Sequence, residues 1–188
     1  MSNRNVMPEP EWIARGATGA PLVGRFTLGI DAERLRTEIR DLLEKHPLIF
    51  ESTRQLAVQI RPGSTNPWYE SCYQEEDIAP EQEYDTLNPE LEGTYLAEVL
   101  ARFPFPVFRS RLLGLDPRRC YSVHRDATPR VHVAIETTEH AAFVFVDENQ
   151  VFRIPADGDA YFVDTRQTHT ALNGARDLRL HLVVGAAA

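Results

Sequence analysis

The run VFRSRLLGLDPRRCYSVHRDATPRVHVAIE, residues 107–136, contains three short apolar or alternating segments in close succession. Val107–Leu115, Arg119–Val123 and Arg130–Glu136 have the length and period of strands. Asp116-Pro117 supplies a turn between the first two. The pattern continues downstream through Ala141–Val146, Val151–Ile154, Ala160–Val163 and Leu178–Val184. Asp147-Glu148-Asn149 and Asp157-Gly158-Asp159 separate those segments with turn-forming side chains. Seven or eight short strands at this spacing predict an antiparallel sandwich or barrel. Periodicity alone does not choose among a jelly roll, an immunoglobulin-like sandwich and a lipocalin-like barrel.

Upstream the pattern differs. The apolar run Phe26–Ile30 leads to Asp31, a helix N-cap candidate, and then to AERLRTEIRDLLEK. Its apolar positions Leu35, Ile39, Leu42 and Leu43 fall at helical spacing, and Pro47 lies just beyond. Gln55–Ile60 reads as a strand closed by Pro62 and Gly63. Residues 61–92 are rich in turn formers, and a second helix is expected from about Leu91 to Arg102, stopped by Pro104 and Pro106. The chain of 188 residues is therefore expected to be a single domain, with residues 1–104 as a helix- and loop-rich support and residues 105–188 as a β core.

Composition narrows the function classes. Hydrophobic residues make up 43% and charged residues 26%, an ordinary globular mixture with no stretch apolar enough for a membrane span. The N-terminus lacks the apolar region of a secretory signal, and two cysteines, Cys72 and Cys120, make no disulfide framework. A cytoplasmic location is expected on both grounds. The net charge of −8 argues against nucleic acid or an anionic membrane as partner. The acidic run from Glu75 to Glu92 reads as a solvated loop or helix face. An acidic protein that binds an anion must do so with a few well-placed Arg or Lys side chains.

His124-Arg125-Asp126 is the motif with chemistry in it. In an extended segment residues i and i+2 share a face, so the imidazole and the carboxylate converge while Arg125 points away. His169, just before the last strand-like segment, is the candidate third ligand. Two His and one carboxylate on one side of an ion leave positions open for co-substrate and dioxygen, as non-haem iron(II) oxygenases require. The alternative is a surface turn with an Asp-paired His and an unrelated loop His. Arg179 and His181 share one face of LRLHLVV, and Arg130 and His132 share one face of RVHVAIE. If those faces line a cavity, Arg179 needs a carboxylate partner; if they face solvent, the apolar residues alone face the core.

The order HRD, RVHVAIE and THTALNGARDLRLHLVV resembles the aspartyl/asparaginyl β-hydroxylase-like branch of the 2-oxoglutarate-dependent oxygenases, which includes the bacterial proline cis-hydroxylases. The resemblance spans residues 105–185, and the spacing of His169, Asn173, Arg179 and Leu180 is its most specific part. It implies a double-stranded β-helix, a cupin-like jelly roll. It further implies iron(II) held by His124, Asp126 and His169, and 2-oxoglutarate gripped by Arg179 with help from Arg130 and His132. Vertebrate aspartyl hydroxylases have Gly where this chain has Asp126. The chain thus resembles more closely the bacterial branch with a complete triad, and the resemblance disfavours a halogenase.

The implied activity is hydroxylation of a C–H bond in a free amino acid, a small metabolite or a peptide, with dioxygen as oxidant. Trp68, Tyr69 and Tyr73 either wall the substrate site or fasten their own loop. Arg118 and Arg119 either meet a substrate carboxylate or face solvent. His46 is expected to interact with the carbonyls at the end of the first helix, and His140 to sit in a turn. Two rivals share the architecture. One is a cupin-type metalloenzyme without 2-oxoglutarate, whose first two His ligands would lie close together where this chain has HRD. The other is a non-catalytic jelly-roll module that binds an anion in its basic pockets.

Overall fold

In the computed structural model residues 7–49, 54–72 and 79–186 are described; Tyr73 and part of the acidic run lie outside them. The first predicted helix forms as α1, Ala32–Lys45, capped by the Asp31 side chain, which accepts a hydrogen bond from the Arg34 amide. At its end the His46 amide donates to the Leu42 carbonyl, while the His46 ring stacks on Trp68 with centroids 3.9 Å apart. The second helix, α2, is Tyr95–Ala101. It starts later than the apolar spacing suggested, because Pro89–Leu91 turns separately as a 3-10 segment and Thr94 then caps the new helix.

The strands are β1 (Glu11–Arg15), β2 (Pro21–Phe26), β3 (Arg54–Ala57), β4 (Gln59–Ile60), β5 (Thr86–Leu87), β6 (Val107–Leu115), β7 (Arg119–Cys120), β8 (Arg130–Glu136), β9 (Ala141–Phe145), β10 (Gln150–Phe152), β11 (Ala160–Val163), β12 (His169–Asn173) and β13 (Arg179–Ala186). They form a seven-stranded sheet in the order β1-β2-β11-β8-β13-β6-β3 and a four-stranded sheet in the order β10-β9-β12-β7, all pairs antiparallel. β4 and β5 make a small separate ribbon. The first 104 residues thus supply β1, β2 and β3 to the large sheet, where the sequence reading had placed mostly helix and loop.

Alternation on β8 and β13 sets the layers. Val131, Val133, Ile135, Leu180, Leu182 and Val184 point to one face of the large sheet and pack with Leu35, Ile39, Leu96 and Val99 of the helices. Each fully buried Leu or Val contributes about 2 kcal/mol of transfer free energy. The alternate residues, among them Arg130, His132, Arg179 and His181, point between the two sheets. A smaller core of Leu22, Val23, Phe143, Phe145, Tyr161 and Val163 closes part of that space. Every residue of β13 is buried, so the solvent-facing alternative for Arg179 does not occur. Both of its faces are interior.

β7 is shorter than the strand expected over Arg119–Val123. It ends at Cys120, although the Tyr121 amide still donates to the Ala171 carbonyl at 3.0 Å. Pairing with β12 resumes at His124 and His169, which exchange both backbone hydrogen bonds at 3.0 Å. Ser122 and Val123 therefore bulge opposite Thr170, and Val123 is 56% exposed. Among the described residues no helix is long and apolar enough to cross a membrane.

Candidate metal centre

Backbone pairing places two imidazoles side by side. The bridge between His124 and His169 puts their ring centroids 4.5 Å apart. Asp126 follows two residues after His124, anchored by its amide to the Thr165 carbonyl at 2.9 Å. One ligand atom from each of His124, Asp126 and His169 can be chosen so that all three lie within 4.8 Å of one another. The His124 Nε2 atom is 3.7 Å from Asp126 Oδ1.

The donor set fits a divalent metal ion. Nδ1 of His124 lies 2.7 Å from the Ser122 carbonyl, and Nδ1 of His169 lies 3.0 Å from the Gln167 carbonyl. A carbonyl only accepts, so each Nδ1 carries the proton and each Nε2 keeps its lone pair for a metal. Burial holds His169 below the usual imidazole range, against the upward pull of the Gln167 carbonyl, and the neighbouring His124 adds to the lowering. Neutral imidazole is the ligating form. Arg125 points away, binding Thr168 and Asp147 at the surface.

The triad opens on a cavity of about 670 Å³ between the sheets, which Arg111, Arg130, His132, Phe143 and Arg179 also line. Arg179 is 4% exposed. Its Nη2 is 3.2 Å from His181 Nδ1 and its guanidinium lies 5.1 Å from the Phe143 ring centroid. Among the described residues it has no carboxylate partner. Burial pushes its pKa down to about 10. A buried guanidinium without a counter-ion is costly, and an anionic ligand relieves that cost.

Arg130 lies near the triad but is already engaged. Its Nη1 and Nη2 donate to Glu81 at 2.8 and 2.7 Å, and its Nε is 3.5 Å from Asp126 Oδ2. Glu81 also accepts from Thr128 at 2.7 Å and pairs with Arg109. Burial would raise the Glu81 carboxyl, but the hydrogen bonds and charge of Arg130, with Thr128 and Arg109, outweigh it and hold it at about 2. Neither ring nitrogen of His132 has a protein hydrogen-bond partner. Two further sequence candidates lie elsewhere. Trp68 does not line the cavity and packs on His46 and the helix-side core. Arg118 is exposed in the turn after β6, with a left-handed φ of 57°.

Sequence reasoning passed over Glu81, Arg109, Arg111 and Gln55. Glu81 was hidden in an acidic run whose other described carboxylates are exposed. Arg109 and Arg111 carried a visible signal: they repeat in RSR the alternate basic pattern of RVH and RLH.

No family model matches the chain, and no curated protein matches its sequence. Among solved structures, it is similar to an oxidoreductase of the 2OG-Fe(II) oxygenase family from Burkholderia pseudomallei, with 13% identity, 87% of this chain and 82% of the other covered, and a TM-score of 0.51. It is also similar to the non-haem α-ketoglutarate-dependent epimerase SnoN of nogalamycin biosynthesis, with 16% identity, 86% and 76% covered, and a TM-score of 0.50. At such identities the likeness is one of fold: the chain is a mainly β jelly roll, the double-stranded β-helix that the resemblance implies.

Proposed function

We propose that the chain is an iron(II)- and 2-oxoglutarate-dependent dioxygenase that hydroxylates a C–H bond of a free amino acid, small metabolite or peptidyl residue. The observation that carries this reading is the opening of the His124–Asp126–His169 cluster on the same cavity as Arg179, a buried cation with no carboxylate partner among the described residues. His124, Asp126 and His169 would hold the iron, and residues 1–188 would act as one oxygenase domain of the aspartyl/asparaginyl β-hydroxylase-like branch, working in the cytoplasm. Bound iron supplies the activation of dioxygen, with 2-oxoglutarate oxidised to succinate and carbon dioxide as the substrate C–H becomes C–OH.

The protein's own residues supply orientation and charge. The Ser122 and Gln167 carbonyls fix both imidazole tautomers. Arg179 offers its fork to the carboxylate of 2-oxoglutarate remote from the metal, in a site dry enough for a charge-assisted pair to be strong. His181 holds Arg179 from the neighbouring position, and Phe143 covers one side of its guanidinium. Arg130 is held by Glu81, so its part is to steady Asp126 and the co-substrate wall.

Anaerobic addition of iron(II) and 2-oxoglutarate tests the reading through the weak visible charge-transfer band of the chelated keto acid. His124→Ala should abolish the band. Arg179→Met should keep it but raise the 2-oxoglutarate concentration required about 100-fold, the roughly 3 kcal/mol of a desolvated charge-assisted contact. Folded, metal-loaded protein that gives no band would overturn the proposal in favour of a cupin-type enzyme or a binding module.

A further inference from the structure

A second buried cation faces the same cavity. Arg111 on β6 is 6% exposed, and its Nη1 donates to Gln55 Oε1 at 2.8 Å. Its Nε is buried without a protein hydrogen-bond partner. Among the described residues no carboxylate pairs with it. Glu81, which belongs to Arg109 and Arg130, does not bond it. Burial and then the charges of Arg109 and Arg130 push its pKa down to about 9. Gln55 steadies one end of the fork, and the edge carrying Nε is the side-on face that takes a carboxylate bidentately.

On the reading proposed above, 2-oxoglutarate does not satisfy this group. One of its carboxylates goes to Arg179 and the other to the metal. In the sheet, Arg111 lies opposite Val183, four residues along β13 from Arg179. That offset is about 13 Å of strand, so the two cations lie at separate backbone positions along the cavity. We infer that Arg111, oriented by Gln55, binds a carboxylate of the primary substrate, so that the enzyme acts on a carboxylic acid. The inference rests on the oxygenase reading. It adds a specificity-determining residue that the sequence motifs did not mark.

The test uses full-length protein with manganese(II) and saturating 2-oxoglutarate, probed with the free amino acids and their carboxamides by thermal melting and calorimetry. At least one amino acid should bind and raise the melting temperature, while its amide should bind at least tenfold more weakly. Arg111→Met should weaken that amino acid at least tenfold and leave the 2-oxoglutarate band with iron(II) within about twofold of wild type. Arg111→Lys, which keeps the charge and loses the fork, serves if the Met variant does not fold, and should show an intermediate loss. The inference is overturned if the Arg111 variants lose 2-oxoglutarate together with the amino acid, because Arg111 then holds the co-substrate. Unchanged amino-acid binding in the variants overturns it too, as does a panel in which no carboxylate outbinds its amide. Failure of the oxygenase reading would show differently, as absence of the band in wild-type protein.

Discussion

Glu81 accepts hydrogen bonds from Arg130 and Thr128 and pairs with Arg109, and through Arg130 it stands one step from the candidate ligand Asp126. Arg130 has two carboxylates within reach, and Glu81 takes both of its terminal nitrogens. Removing the Glu81 charge would free the guanidinium to bind Asp126 and compete with a metal for that oxygen. Glu81→Gln should therefore weaken manganese(II) binding by about 10- to 100-fold, the usual effect of losing an outer partner of a ligand. Unchanged affinity in a titration would show that Arg130 does not compete for Asp126. At this scale the sequence was partly legible. HRD shows its two candidate ligands because they lie two residues apart, whereas Glu81 and Arg130 meet across 49 residues of chain. No local pattern in an acidic loop singles out Glu81, the one carboxylate drawn inward among the described residues of the run.

Among elements, α1, β6, β8 and β11 stand where period, turn residues and capping put them, because each buries the apolar residues that set its period. β12 escaped notice: HTALN has few apolar residues, since of its buried positions His169 faces the candidate metal cluster and Asn173 donates to the Leu115 and Asp177 carbonyls, leaving only Ala171 to the core, and its pairing comes from β9 and β7. β2 escaped for another reason. Gly24 interrupts PLVGRF, and a Cβ there would lie 2.5 Å from the Pro10 side chain. The close approach of Pro10 and Trp12 requires the residue that lowers strand propensity. β8 and β13 also carry a pH dependence. Burial, then the Arg179 charge, pushes both His132 and His181 well below the usual 6.5. Unfolded chains take up protons on these rings near that pH and the native chain does not. Stability is thus complete above about pH 6.5 and falls as the pH drops below it, by about 1.4 kcal/mol per pH unit for each ring. Urea unfolding between pH 7.5 and 5.5 should show this slope, and the variant carrying His132→Phe and His181→Leu should lose it. Persistence of the full slope in the variant would assign it to other groups.

Over the whole molecule, charge is sorted by depth. A chain of net charge −8 keeps four guanidinium groups, Arg109, Arg111, Arg130 and Arg179, at its central cavity. The fold class was legible because the β half repeats strand and turn at short intervals. The share of the large sheet built by residues 1–104 was less so, since β1 is short and its hairpin partner β2 is interrupted by Gly24, while β3 finds its partner only far along the chain in β6. The same long-range closure ties the segment around Glu81 to the candidate metal ligands, and thermodynamic reciprocity applies to it. If that segment aids metal binding tenfold, a bound ion must hold the segment closed by the same about 1.4 kcal/mol. The amides of Glu83, Tyr84 and Asn88 donate to backbone carbonyls. Their hydrogen exchange should slow about tenfold when manganese(II) is added, and Glu81→Gln should erase the difference. Equal exchange rates with and without the ion would mean that loop and ligands do not communicate.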